Sequence, residues 1–375
     1  MLSSVHSTVR PRPLKLGFLP LMDCAPLIVA QEAGYFEAEG LLVQLQREPS
    51  WSSIRDKLVF GLLDGAHMLA PMPLACTLGL GSINKPVVTG LGLGLNGNAM
   101  TLSRTLHDQL LSLCGKANTA GRSPSPSELA LALRQWLDHN PASGLTLASV
   151  FPYSMHQYML RHWLSLGGID PDRELSLVVV PPDMMVSALQ SGEIQGYCVG
   201  EPYNGLAVRQ DAGRIAFTGH DLWPEAPEKV FGVTESWADR YPDTHYRVIR
   251  ALLRACQWLD EPTNRAELAH LLARPEYVGL DADTLRMAVA QMSSDCSPLL
   301  PCTHKHFFAH GGTAPLKSRM RWIADQMLHW QQVEQAVPDS MLDQVCRLEP
   351  YDAAAQSLSL PTTAELSARP GPVTV

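Results

Sequence analysis

A lone tryptophan stands among serines in Ser50-Trp51-Ser52-Ser53, directly ahead of a run in which Ile54, Leu58 and Leu62 recur at helical spacing. Ser50, Ser52 and Ser53 are all possible N-caps of that run, and Ser53 and Asp56 have the spacing of a capping box, with Asp in place of the usual Glu or Gln. Trp51 is therefore expected just before a helix N-terminus, where free N–H groups and the positive dipole end favour an anion. An isolated tryptophan also serves as a core plug, so its chemistry depends on what else reaches it. Glu201, in Gly-Glu-Pro, reads equally well as a salt-bridge partner or a site residue. His304, His306 and His310 lie near Cys302 in CTHKHFFAH, but no second ligand cluster has matching spacing, so no metal is expected. Met68, Met72, Met155 and Met159 read as core filler.

The elements that must carry such residues come from periodicity. Leu14–Leu19, Leu42–Gln46, Ala66–Leu69 and Pro86–Leu91 read as strands, alternating with helical runs over Pro26–Glu39, the segment after Trp51, and Met72–Leu78. Asp23 is placed to cap the first of those helices. A second series follows, with strands at Thr146–Val150, Leu175–Val180, Gly196–Val199 and Ile215–Thr218. This alternation implies α/β layers with parallel sheets, whose ligands bind at the carboxyl ends of the strands. Leu113–Ser127 reads as a surface loop. Helices dominate beyond Thr244, and the tail 361–375 is expected to be disordered.

Composition narrows the function. The chain has 375 residues and a formal net charge of −8, with no basic stripe to meet nucleic acid phosphates. Any bound anion must be held by a local arrangement instead of the overall field. The glycine-rich Leu91–Ser103 lacks the spacing of a phosphate loop. The N-terminal stretch has no apolar core of a secretory signal, no run is long enough to span a membrane, and eight scattered cysteines show no CxxC. Together these predict a cytoplasmic protein with reduced thiols.

Several ordered blocks carry a more specific signal: GFLPLMDCAPLIVAQEAGYFEAEGL, SWSSIRDKLVFGLLDGAHMLAPMP, NGNAMTLS, FPYSMHQYMLRHWLSLGGIDP, GYCVGEPYN and WPEAPEKVFGV. Over about residues 14–330 the chain resembles the nitrate-binding family of ABC-transporter solute-binding proteins. The resemblance implies a two-lobed, periplasmic-binding-protein-like fold of the Venus-flytrap type. Lobe I is expected at 14–103 plus 228–350 and lobe II at 104–227, with crossings near Met100–Arg104 and Gly219–Glu228. The family's site, carried over, implies Trp51 beside the anion, His156 as a contact, Lys229 as the cation and Asn98 as an amide donor; Ser53 and Glu201 complete the candidates. Pro152-Tyr153-Ser154 replaces the family's paired glycines, a departure that bears on the pocket around His156.

Nitrate is planar, monovalent and accepts hydrogen bonds only, so donors around one compensating cation suit it. Bicarbonate carries an O–H and wants an acceptor; its binding branch resembles this one with a carboxylate at the lysine's place, so Lys229 favours nitrate or nitrite. No catalytic residue or cofactor is expected. The resemblance implies foremost a cytoplasmic nitrate/nitrite sensor of the NasS type, which controls a response-regulator-like RNA-binding antiterminator. The substrate-binding component of a nitrate ABC transporter comes second. An enzyme of the thiamine-pyrimidine synthase kind is third, since no nucleophile–base pair is tied to the cleft.

Overall fold

The computed structural model describes residues 12–81, 83–114, 123–292 and 300–367. They form two five-stranded sheets, each clothed by helices. The first has the order β2-β1-β3-β10-β4, built from β1 Leu14–Phe18, β2 Val43–Arg47, β3 Gly65–Leu69, β4 Val87–Gly92 and β10 Lys229–Thr234. The second has the order β7-β6-β8-β5-β9, from β5 Asn98–Ser103, β6 Thr146–Ser149, β7 Ser176–Val179, β8 Gly196–Gly200 and β9 Gly213–Thr218.

Neither sheet is purely parallel. In the first, β10 runs antiparallel between β3 and β4; in the second, β5 runs antiparallel between β8 and β9. Each lobe thus holds four strands of one direction and one arriving from the other lobe. The first crossing precedes β5, at Leu93–Gly97, and not at 100–104, because Asn98 onward is already hydrogen-bonded into the second sheet. The chain is back in the first sheet at Lys229. The two crossings also meet each other. Leu95 bridges Pro227 and His306, Asn96 N–H donates to the Ala226 carbonyl at 3.0 Å, and Asn96 Nδ2 donates to the His304 carbonyl at 3.0 Å.

Local chemistry departs from expectation at several points. Of the three candidate serines it is Ser50 that caps the helix Trp51–Val59, its hydroxyl accepting from the Ser53 N–H at 3.1 Å, in place of the Ser53–Asp56 box. Trp51 is therefore the first helical residue. The run Pro26–Glu39 breaks at Gly34, whose φ of 72° leaves a helix Ala25–Glu32 and a short one at Tyr35–Ala38. Within the expected loop, Ser125 and Glu128 form a capping box that starts the helix Pro126–His139. Residues 361–367 are not a free tail. Thr363–Ser367 is helical, with Thr363 and Leu366 buried and Thr363 bonded to Asp352; 368–375 lie outside the described residues. Cys302 is disulfide-bonded, which overturns the expectation of thiols throughout; Cys24, Cys76, Cys114, Cys198, Cys256 and Cys346 are free. Among the described residues, no helix is long and apolar enough to cross a membrane.

Candidate functional site

Both lobes converge on a polar cluster walled by apolar side chains. The first lobe contributes Asp23 from the turn after β1, Trp51 from the start of its helix, His67 from β3, and Glu228 and Lys229 from the start of β10. The second contributes Asn98, the first residue of β5, and His156, in the first turn of the helix Met155–Leu166. That helix begins where it does because Ser154 accepts from the Gln157 N–H at 3.1 Å, so the Pro-Tyr-Ser departure supplies a cap. Lys305 enters from the segment beside the crossings. All eight side chains are at most 2 % exposed.

The charges are tightly paired. Lys229 Nζ lies 2.9 Å from Asp23 Oδ2 and 2.5 Å from Glu228 Oε1. Lys305 Nζ lies 2.5 Å from Asp23 Oδ1 and 3.3 Å from the Asn96 carbonyl, to which it donates. Asn98 Nδ2 donates to Glu228 Oε2 and to Met159 Sδ at 3.8 Å. His156 Nε2 stands 3.6 Å from Glu228 Oε1, and Lys229 Nζ lies 5.7 Å from the centre of the Trp51 ring. Lys229 is thus not the free compensating cation expected from the sequence, because two carboxylates already bracket it.

Protonation follows from burial and these neighbours. Burial alone would raise the Asp23 carboxyl, but Lys229 and Lys305 outweigh it and hold Asp23 ionised. Glu228 has a raised affinity for protons, burial exceeding the pull of Lys229. Burial would lower the Lys229 ammonium, yet Asp23 and Glu228 raise it on balance. His67 is pushed down by burial to about 3, and His156 falls well below its ordinary value for the same reason. Both imidazoles are therefore neutral at physiological pH, each with one N–H to give.

Several polar atoms in this enclosure make no hydrogen bond among the described residues: Trp51 Nε1, both ring nitrogens of His67 and of His156, and Asn98 Oδ1. Buried polar groups are seldom left unpaired. Their concentration around one ammonium group, beside the positive ends of two helices, is chemically suited to a small anion.

The remaining candidates sit differently. The Ser53 hydroxyl donates to Glu48 Oε2 at 2.6 Å, and Lys57 neutralises that carboxylate at 2.8 Å, so Ser53 is committed to anchoring its helix. Glu201 is buried in the second lobe; its Oε2 accepts from the Gly205 N–H at 3.1 Å, and burial raises its carboxyl to about 7. The backbone beside it ties the lobes together, the Met22 N–H donating to the Glu201 carbonyl at 2.9 Å. Met68, Met72, Met155 and Met159 are buried in the core. Among the described residues no group of His, Cys, Asp and Glu is arranged to hold a metal ion.

Sequence reasoning passed over Asp23, His67, Glu228 and Lys305. Asp23 was expected as a helix cap, but its side chain makes no capping bond and turns to the two lysines. Of the four, only Glu228 left a signal in the sequence, as the charged residue directly before the assigned Lys229.

Residues 7–273 match the model of the NMT1-like family. The chain belongs to the NMT1-like family. Similar proteins include the nitrate import ATP-binding protein NrtC of Synechocystis sp. (strain ATCC 27184 / PCC 6803 / Kazusa), 40% identical over 322 residues, 84% of this chain and 46% of that protein. The bicarbonate transport ATP-binding protein CmpC of Synechococcus elongatus (strain ATCC 33912 / PCC 7942 / FACHB-805) is 36% identical over 352 residues, 92% of this chain and 50% of that one. The chain therefore spans about half the length of these two relatives. The crystal structure of the periplasmic nitrate-binding protein NrtA from Synechocystis PCC 6803 superposes with a TM-score of 0.83 at 27% identity, covering 94% of this chain and 90% of that one. The fold of this NMT1-like chain is thus the two-lobed α/β fold of periplasmic binding proteins, and it resembles the NrtA type within the family.

Proposed function

We propose that this protein binds nitrate or nitrite between its two lobes and serves as the substrate-binding component of an ABC-type importer. The unpartnered N–H groups of Trp51, His67 and His156 around Lys229, sealed from solvent by both lobes, carry this reading. The likeness to NrtA and NrtC supports it. The same site would also serve a cytoplasmic sensor that releases an RNA-binding antiterminator. The disulfide at Cys302 favours an oxidising compartment, and so the importer component. The function is binding and not catalysis, since the ionisable groups are locked in mutual pairs and both imidazoles are neutral.

A second ligand has a specific observation behind it. The Glu228 carboxylate offers the acceptor that a bicarbonate O–H requires, which weakens the preference drawn from Lys229 alone. Calorimetric titration of the purified chain with nitrate, nitrite, bicarbonate and sulfate tests the assignment. Saturable binding of nitrate or nitrite with one site is expected, and binding of none of these anions overturns it. Cell fractionation separates the importer component from the sensor.

A further inference from the structure

The anion-binding reading leaves an unresolved charge balance in the cluster. Lys229 and Lys305 carry two positive charges, Asp23 and Glu228 two negative ones, and all four side chains are buried. The enclosure is already neutral before any ligand arrives. A monovalent anion added to it would leave one uncompensated charge in a desolvated space, which is costly. An acceptor-only anion meets a second conflict, because an ionised Glu228 also offers only acceptors.

The two carboxylates differ in how firmly they are held. Asp23 has an ammonium group on each oxygen, Lys229 at 2.9 Å and Lys305 at 2.5 Å. Glu228 has one cation, Lys229, on Oε1 and a neutral amide, that of Asn98, on Oε2. The other groups facing Glu228 add little to hold it ionised. His156, from the helix Met155–Leu166, is neutral; the Cys198 thiol on β8 is held neutral by burial; Asp23 repels Glu228; Lys305 acts on it only at longer range. Its raised proton affinity agrees with that geometry. Protonating Glu228 removes both conflicts at once, because the cluster gains the positive charge that the anion then cancels, and the carboxyl gains an O–H to donate.

Resting on the anion-binding reading above, we propose that Glu228 is the proton-carrying contact that sets ligand specificity, taking one proton from solvent when an acceptor-only anion such as nitrate binds. Bicarbonate is monovalent too, so the charge conflict stands for it. It brings its own O–H to the ionised carboxylate, however, and meets the acceptor conflict without uptake, so it calls for less of a proton than nitrate does. Only an O–H bond on Glu228 forms in the step, and the proton comes from water or buffer.

The test is calorimetry of the full chain with sodium nitrate in two buffers of different ionisation enthalpy, HEPES and Tris, at pH 8, with the affinity followed from pH 6 to 9. Uptake approaching one proton per nitrate is expected, with affinity falling by up to about tenfold per pH unit at the alkaline end. Glu228→Gln, a neutral donor at every pH, is expected to bind nitrate with a flat profile, without uptake, and about tenfold or more tighter than wild type at pH 9. Nitrate binding to wild type with no uptake and a flat profile overturns the coupling while leaving anion binding intact. A Glu228→Gln protein that keeps the wild-type slope overturns the assignment to Glu228. Proton uptake of equal size with sodium bicarbonate overturns its role in specificity. Failure of wild type to bind nitrate at any pH overturns the proposed function and this inference together. The wild-type measurement decides the coupling even where the variant does not fold.

Discussion

Lys229 is held by two carboxylates, so removing it leaves charges behind as well as a gap. In Lys229→Met, Asp23 keeps Lys305 while Glu228 loses its one direct cation. Breaking a buried pair by deleting one partner costs about 3–5 kcal/mol. Urea denaturation at neutral pH is expected to show a loss of that order, and Glu228→Gln added to Lys229→Met should restore most of it. Additive losses in the double variant would mean the pair is not coupled. Glu201 gives a separate pH signature. Its folded-state carboxyl sits near 7 against an ordinary 4.5, so the folded state holds the proton more tightly than the unfolded chain. The stabilisation from the neutral carboxyl is complete below about 4.5 and is lost as pH rises to about 7, an effect of about 3 kcal/mol at most. In Glu201→Gln that fall should vanish, and the variant should be more stable than wild type at pH 8. An unchanged pH profile in denaturant melts would place the titration elsewhere.

At the level of elements, eight of the ten strands named above were legible from apolar runs and turn residues. The two missed, β5 and β10, share a physical cause. Both are antiparallel insertions between strands distant in sequence, and periodicity within a segment holds no information about which lobe it will join. Both also open on a polar site residue, Asn98 and Lys229, which disguises the start of a buried strand. The same blindness hid half of the cluster. Trp51, Asn98, His156 and Lys229 came from motif resemblance, but Asp23, His67, Glu228 and Lys305 join only through tertiary packing. Local capping is a cheaper test of this level. Ser50→Ala removes the bond to the Ser53 N–H and should cost about 1 kcal/mol, whereas Ser53→Ala leaves that cap intact. Equal thermal shifts for the two would show that the Glu48 bond matters as much as the cap. Gly200 is a sharper case. A Cβ there would stand 2.8 Å from Asp23 Oδ2, across the lobe boundary. Gly200→Ala should therefore weaken nitrate about tenfold or more, about 1.4 kcal/mol, with the melting temperature of the ligand-free protein little changed. Wild-type affinity in that variant would mean the lobes adjust without penalty.

On the scale of the whole molecule, two lobes meet over one enclosed cluster while their crossings are bonded to each other through Leu95, Asn96 and Pro227. Such crossings allow the lobes to hinge as bodies, and a ligand favours the closed arrangement only through its greater affinity for it. Nitrate should accordingly raise the melting temperature in proportion to the logarithm of its concentration above Kd. The enclosure itself has a consequence for time and not only for affinity. Trp51, His67, Asn98 and His156 are each at most 1 % exposed, so an anion among them has no path outward while the lobes stay together. Its residence is then a property of the hinge. In stopped-flow chase experiments nitrate and nitrite should leave at one common rate even where their affinities differ, and off-rates that track affinity would show that the lobes part far faster than the anion lets go. Under the importer role proposed above, release would run on the schedule of whatever pulls the lobes apart, and the timing of delivery would rest there and not with the anion.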